Sequence, residues 1–454
     1  MNTPADPAPP PVLFSGGIPL RIVNYNTMLL TQFITLQGDD FRNQERVTRI
    51  LAAPFLKDND IVVLEELFNI APSVALLNGL HDLGYLHQTR VVGATVWHDQ
   101  KSFVPWDAQH RTSTGTEPEN GGVAVVSRHP ITRAEEFVYR DGCGADHEAA
   151  KGFAYVRVDK AGRSFHLIAT HTQSTDTGCG NTQDYRAKSA AIRHRQFTQL
   201  DTFLTGLEDT GRIPSGEPLI LTGDFNVDRH DTTEYPGVLA LLRARSGTHS
   251  GPARSFDTAR NTLARLRYPG DPSEDLDHAL QRTGHPLLDD WTVTVSTPAT
   301  DPYTVTHDHH DTTVTDLSDH YPITATGTLA TPALPPATLT IDTVLMTKGD
   351  DANGDDLYGE ITVNGHRAWY RDRDHTLDNR KPPYELPDLD HTPHPGWDRR
   401  FTITALIMDD DFPDSPDELV RHTLVLDATT PPGSHTVSLT GPHGAGELTC
   451  TLRH

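Results

Sequence analysis

The chain has 454 residues, with 38 Lys and Arg against 62 Asp and Glu, a net charge of −24. That length exceeds what one hydrophobic core usually supports and predicts two domains. The acidic excess works against non-specific nucleic-acid binding, which draws on cationic contacts to phosphate, and no run approaches the roughly 18 apolar residues of a membrane-spanning helix.

In chain order, residues 1–18 form a Pro- and Ala-rich leader with neither the cationic start nor the apolar stretch of an export signal. The apolar run 20–23 ends at Asn24-Tyr25-Asn26. Residues 44–55 carry Val47, Ile50, Leu51 and Phe55 at helical spacing, and residues 60–64 read as a strand ending in Glu65-Glu66. A hairpin is expected from 153–158 and 165–169, the second arm ending at Thr170-His171. A second helix is expected over 187–207, with Ala191, Phe197, Leu200 and Leu204 on one face. Residues 218–221 read as a buried strand that Gly223 turns outward, so that Asp224 and Asn226 project to the same side. A shorter run holds Asp275-Leu-Asp277-His278, and Ser318-Asp319-His320 precedes a Pro/Ala linker at 330–338. Seven short β-type runs in 339–454, without helical period, predict a β-sandwich.

Taken singly, an Asp or Asn after a strand is a turn or cap residue, and a His there is a structural hydrogen-bonder. Six such ends in one chain, with Gly223-Asp224-Phe225-Asn226 and Ser318-Asp319-His320 among them, point instead to a site on one rim of a sheet. A carboxylate, an amide and an imidazole are what a hydrolytic site needs to hold a water and take its proton. Cys143 and Cys179 have too few soft ligands around them for a zinc site; free thiols and a bridge both remain open, and Cys450 reads as a core residue. The acidic run Asp350 to Asp356 reads as a solvated turn, with a Ca²⁺ loop as the alternative. His307-Asp-His-His-Asp311 reads as an exposed loop, with a transition-metal site as the alternative.

The series Asn26, Glu66, His171, Asp224-Phe-Asn226, Asp277 and Ser318-Asp319-His320 resembles the exonuclease–endonuclease–phosphatase superfamily of metal-dependent phosphodiesterases. Further motifs are similar to the secreted bacterial neutral sphingomyelinases. These are Asn120-Gly-Gly-Val-Ala-Val-Val-Ser127, Gly142-Cys143-Gly144, Lys151-Gly152-Phe153, Thr170-His171-Thr-Gln173, Cys179-Gly180 and Tyr268-Pro269. The resemblance covers residues 19–329.

It implies an α/β four-layer sandwich, two packed sheets flanked by helices. It also implies a secreted, Mg²⁺-dependent hydrolase of sphingomyelin at a membrane surface, with Mn²⁺ or Co²⁺ able to substitute and no nucleic-acid partner. A monomer is expected. Glu66 and Asn26 would hold the metal, and His320 would be the base, backed by Asp277. Asp224 and Asn226 would position water and a phosphate oxygen, His171 would donate to developing charge, and Asp319 would line the metal–water network. Lys151, Gly152, Phe153 and Asp146 would meet the substrate, and Cys143 and Cys179 would form a disulfide, which places the protein outside the cell. An edge metal site would fall on Glu119 and Asn120, weakened by Ile70 where a polar ligand is expected. The sphingomyelinases' aromatic-tipped membrane hairpin would have arms near Trp291 and Tyr303 and a tip at 297–302 without aromatics. A nuclease, another phosphodiesterase, or an inactive surface-binding module are the competing functions.

Overall fold

Residues Ile18–Asn26 form a strand whose side chains divide between two apolar layers: Leu20 and Ile22 face an inner core, Val23 and Tyr25 an outer one. The computed structural model describes residues 17–31, 38–111, 118–181, 183–330, 337–349, 354–364, 366–396, 401–410, 416–427 and 429–453. The first strand lies in a seven-stranded sheet ordered Thr248–Ser250, Asp289–Val295, Ile323–Leu329, Ile18–Asn26, Ile61–Glu65, Ala124–Ser127, His87–Gln88. A second seven-stranded sheet runs Ala244–Ser246, Asp277–Arg282, Leu219–Asp224, Arg163–His171, Gly152–Lys160, Ile131–Val138, Ala108–Arg111.

Ile22, Val63, Leu167, Ile220 and Ala279 interleave between the sheets. Outside the first sheet, helices Asn43–Ala52 and Ile70–Asp82 bury Ile50, Leu77 and Leu80 against Val62 and Leu64. Outside the second, helices Tyr185–Asp209 and Glu234–Leu241 bury Phe197, Leu200 and Val238 against Ile168 and Leu221. The result is a four-layer α/β sandwich, as the resemblance implied.

Several elements differ from the expectation. Helix Ile70–Asp82 was not foreseen, because Ile-Ala-Pro-Ser-Val-Ala-Leu-Leu is apolar on too many sides to show a stripe; its Pro72 sits in the first turn, where the missing N–H costs nothing. Gly223 does not turn the chain out of its strand, which runs on through Asp224. Gly223 has φ 149°, and a Cβ there would fall 1.9 Å from the Thr170 carbonyl oxygen, so glycine lets the His171 strand and the Asp224 strand approach. The reversal comes two residues later, at Asn226, with φ 50°. Asp277 begins its strand rather than ending one, and reaches the same rim because that strand is antiparallel to Leu219–Asp224.

The free hairpin is also displaced from its expected place. Trp291 belongs to the first sheet, is buried, and donates its indole N–H to Ala279 O at 3.1 Å. The hairpin is instead Ala299–His307 paired with His310–Asp316, and its tip is Asp308-His309 rather than 297–302.

Strands Ala337–Lys348 to Ala445–Arg453 pair antiparallel throughout in two sheets around a separate core containing Trp369, Phe401, Leu448 and Cys450. Ile18, Ala337 and Thr338 are strand residues, so both domains take in positions given to the leader and the linker. Of the acidic run read as a solvated turn, with a Ca²⁺ loop as the alternative, residues 350–353 lie outside the described residues, and Asp355 opens a strand.

Candidate active site

Strand register assembles the site. In the first sheet Asn26 is level with Glu65 on the neighbouring strand; in the second, His171, Asp224 and Asp277 occupy one rung across three strands. Two hydrogen bonds join the sheets at this end: Asn24 Nδ2 donates to Asp277 Oδ1 at 3.1 Å, and Asn26 Nδ2 donates to Asp224 Oδ2 at 3.0 Å.

Ser318-Asp319-His320 reaches the same rim, with Ser318 Oγ donating to the Asn26 carbonyl at 2.7 Å and lying 3.2 Å from Asp319 Oδ1. His320 Nδ1 donates to Asp277 Oδ2 at 2.8 Å, and its Nε2 faces Asp224 Oδ2 at 3.7 Å. Burial opposes a charged His320, but Asp277 and then Asp224 outweigh it and hold its pKa well above the ordinary value. Asp224 is raised to about 6, chiefly by burial. The imidazole is thus oriented by one carboxylate and turned toward another at a separation too long for a direct hydrogen bond.

The carboxylates of the Glu65-Glu66 pair have no hydrogen-bond partner at Glu65 Oε1, Glu65 Oε2 and Glu66 Oε2, all buried. Glu65 follows Ile61 and Val63 into the layer between the sheets beneath the site, where burial and then Asp277 and Asp224 push its pKa far up. Its strand geometry therefore points it at the base of the site rather than away from it. Glu66 leaves the strand with φ 56° and lines the cleft instead. Burial and the nearby charge of Asp319 raise Glu66 to about 7. Two carboxyls in one buried place, one with an orphaned oxygen, fit a hard divalent cation, which takes oxygen ligands. Asn26 Oδ1 accepts from Met28 N–H at 3.1 Å, leaving one lone pair for such an ion. Asp224, Asp277 and His320 also place one ligand atom each within 4.8 Å of one another, but the short Asp277–His320 bond already occupies that contact.

The cleft above measures about 420 Å³, and Glu66, Lys151, Asn226, Arg267, Asp319 and His320 are among its lining residues. Lys151 is committed to the protein: Nζ reaches Asp146 Oδ1 at 2.8 Å, His171 Nε2 at 3.0 Å and Thr172 O at 3.1 Å, which uses all three of its donors. His171 consequently accepts at Nε2. Burial and then Lys151 hold its pKa well below the usual value, which favours the neutral ring, and with Nε2 accepting from Lys151 that tautomer carries its proton on the buried Nδ1. Phe153 is fully buried and stacks on Phe137 at 4.8 Å, so it is core. Gly152 is required by strand approach, since a Cβ would lie 1.9 Å from Phe137 O. Asp146 Oδ2 accepts from Ser174 N–H at 2.6 Å and ties its loop down.

At the edge, Asn120 Nδ2 donates to Phe68 O at 3.1 Å and Asn120 Oδ1 accepts from Gly122 N–H at 2.7 Å, so its amide serves the loop. Glu119 Oε1 accepts from Thr31 Oγ at 2.7 Å. Ile70 is 43% exposed and brings no ligand there.

Sequence reading missed Arg267. Among the described residues it makes no hydrogen bond or ion pair, and its guanidinium stacks 5.1 Å over the Tyr268 ring. Burial opposes its charge, but Tyr268, Asp319 and Glu66 outweigh it and hold its pKa above the usual arginine value. The available signal was its place before Tyr268-Pro269, at the end of the helix Thr262–Arg267.

Cys143 and Cys179 form the disulfide. Around it Gln173 Oε1 accepts from Cys143 N–H at 2.8 Å, and Asp176 Oδ2 accepts from Ala145 N–H at 2.7 Å. The bridge thereby fastens the loop of Asp146 and Lys151 to the one after His171. Closing a loop with a separation of 36 residues constrains the unfolded chain by roughly 3–4 kcal/mol in the entropic account. Reduction is therefore expected to lower Tm by several degrees, with substrate KM rising before Mg²⁺ affinity changes; equal Tm in oxidised and reduced protein would remove the bridge from the stability of the site.

Two stacked sheets that converge a carboxylate-oriented imidazole and oxygen ligands on one rim define a hydrolase of the layered-sandwich class. Residues 36–320 match the family model described as Endonuclease/Exonuclease/phosphatase family. Sphingomyelinase C from Bacillus cereus is 30% identical over 312 residues, 68% of this chain and 88% of that protein. The crystal structure of sphingomyelinase C from Streptomyces griseocarneus superposes with a TM-score of 0.61 at 40% identity, covering 68% of this chain and 99% of that one. A Staphylococcus aureus beta toxin structure with bound magnesium ions has a TM-score of 0.60 at 30% identity, over 68% and 99% of the two chains. The chain belongs to the Endonuclease/Exonuclease/phosphatase family, among its bacterial sphingomyelinase C members, and is a phosphodiesterase by that membership.

Proposed function

We propose that the protein is an extracellular, Mg²⁺-dependent phospholipase C-type enzyme that cleaves sphingomyelin at membrane surfaces to ceramide and phosphocholine. The observation that carries this reading is the His320–Asp277 pair, 2.8 Å apart, with Nε2 open toward Asp224 beside the orphaned carboxyl of Glu66. Bacterial sphingomyelinase C relatives supply the substrate class, and the Cys143–Cys179 disulfide supports an oxidising compartment.

In this mechanism the neutral form of His320 takes a proton at Nε2 from water as the water oxygen attacks phosphorus; the bond from phosphorus to the ceramide oxygen breaks, and that oxygen takes up a proton from solvent. Asp277 keeps the Nδ1 proton and stabilises the imidazolium that forms; Asp224, held by Asn26 and by the N–H of Asn226 at 2.9 Å, accepts the water's other hydrogen. Glu66, Asp319 and the remaining lone pair of Asn26 would hold Mg²⁺, which supplies charge neutralisation at the phosphoryl oxygens and the leaving alkoxide. Arg267, whose donors have no protein acceptor among the described residues, binds a phosphate oxygen. Lys151 and His171 fix the loop beneath it rather than donating to substrate.

Assay of the purified chain on sphingomyelin, phosphatidylcholine and DNA, each with Mg²⁺ and with chelator, tests the reading. Phosphocholine release from sphingomyelin that requires Mg²⁺, with DNA intact, is the expected result. Cleavage of DNA, or of no lipid, overturns it.

A further inference from the structure

The histidine-rich hairpin tip lies outside the catalytic cleft, and its geometry resembles a prepared ligand set. His307 pairs with His310 across a two-residue turn whose central residues, Asp308 and His309, have φ 49° and 63°. An incoming segment closes against it: Asp40 N–H donates to Thr306 O at 2.9 Å and Asp40 O accepts from Thr306 N–H at 3.0 Å, which brings Asp39 under the turn. Asp39 Oδ2 accepts from His307 Nδ1 at 2.9 Å, and Asp39 Oδ1 accepts from the Asp308 N–H at 2.9 Å.

The consequence concerns the other ring nitrogen. With Nδ1–H given to a carboxylate that is only 3% exposed, His307 is fixed in the tautomer that leaves a lone pair on Nε2. That nitrogen makes no hydrogen bond among the described residues and stands 3.8 Å from Asp308 Oδ2, too far for a hydrogen bond. Two atoms each bonded to a tetrahedral Zn²⁺ ion at about 2.0–2.1 Å are roughly 3.3–3.4 Å apart, a separation that a small turn of the exposed Asp308 side chain reaches. The His309 ring sits over Gly38, where an added Cβ would lie 2.6 Å from its Cε1. One ligand atom each from Asp39, His307 and Asp308 lies within 4.8 Å of the others.

We infer that this tip is a second metal site, selective for Zn²⁺-type transition ions. His307 Nε2 and Asp308 Oδ2 are the ligands, water completes the set, and Asp39 orients His307 from behind. An imidazole ligand favours such ions over Mg²⁺, whose own place at Glu66 is built from oxygens. Occupation would lock the hairpin tip to the segment that precedes the first helix.

The test uses the full chain, stripped with chelator and returned to excess Mg²⁺, then titrated with Zn²⁺ by calorimetry and with Co²⁺ by visible absorption. One equivalent should bind, with affinity at least tenfold weaker in Asp308→Ala and in His307→Gln. Asp308 is 66% exposed at its side chain, so its replacement leaves the fold in place even where His307→Gln disturbs it. Unchanged Zn²⁺ affinity in Asp308→Ala overturns the site. So does binding that survives in Asp308→Ala and vanishes in Glu66→Gln, which would place the ion in the catalytic cleft.

Discussion

Replacing His320 by Ala should lower turnover by about 10²–10⁴-fold, the contribution of a positioned general base. The expectation rests on the imidazole's two contacts: Nδ1 held by Asp277 at 2.8 Å and Nε2 open toward Asp224 at 3.7 Å. Asn24 still donates to Asp277 in the variant, so the carboxylate left behind keeps one partner. His320→Gln is the sharper control, because an amide can still donate to Asp277 yet cannot take a proton. Both variants should show wild-type Mg²⁺ binding and a Tm close to that of the parent. Near-normal kcat in either would exclude His320 as the base.

Glu66→Gln should behave differently. Loss of groups that merely support a metal ligand costs about 10–100-fold in affinity, so loss of the ligand's charge should move the Mg²⁺ midpoint for activity upward by at least tenfold. Excess Mg²⁺ should restore part of the rate, which it cannot do for His320→Ala. A second readout needs no turnover. Glu66 Oε2 is buried and unpaired near Asp319, so the metal-free wild type carries an electrostatic penalty that the amide relieves. Addition of Mg²⁺ should therefore raise the Tm of wild type more than that of Glu66→Gln. Coincident metal titrations for the two proteins would shift the assignment to another oxygen ligand, with Glu65 the first to test.

What sequence revealed, and what it hid, divides along physical lines. Residues at the ends of apolar runs were legible because a strand that emerges from a sheet core must present its next polar side chain at the rim; Asn26, Glu66, His171 and Asp224 follow that rule. Saturation was not legible. Lys151 looks available in Lys-Gly-Phe until its three acceptors are known, and Phe153 looks like a contact until it is found stacked on Phe137. Arg267 was overlooked for the complementary reason: a cation's lack of partners is visible only in space. The helix over residues 70–82 escaped because its apolar residues encircle it, and the hairpin was misplaced because 291–296 and 303–306 both alternate as strands. Only pairing shows that the first of these belongs to a sheet.

The cross-sheet bonds from Asn24 and Asn26 have a dynamic consequence. Both leave one strand in the first sheet and end on Asp277 and Asp224 in the second, at the edge of the core that joins the layers. Parting the sheets there would strip both carboxylates of their amide donors and withdraw Asp277 and Asp224 from the Glu66 side together. The catalytic geometry then has no cooperative unit of its own to melt first: its lifetime is the lifetime of the sandwich. Slow exchange of the backbone amides at the Asn26 end of the strand, close to the slowest in the molecule, is the dynamic signature of such an arrangement.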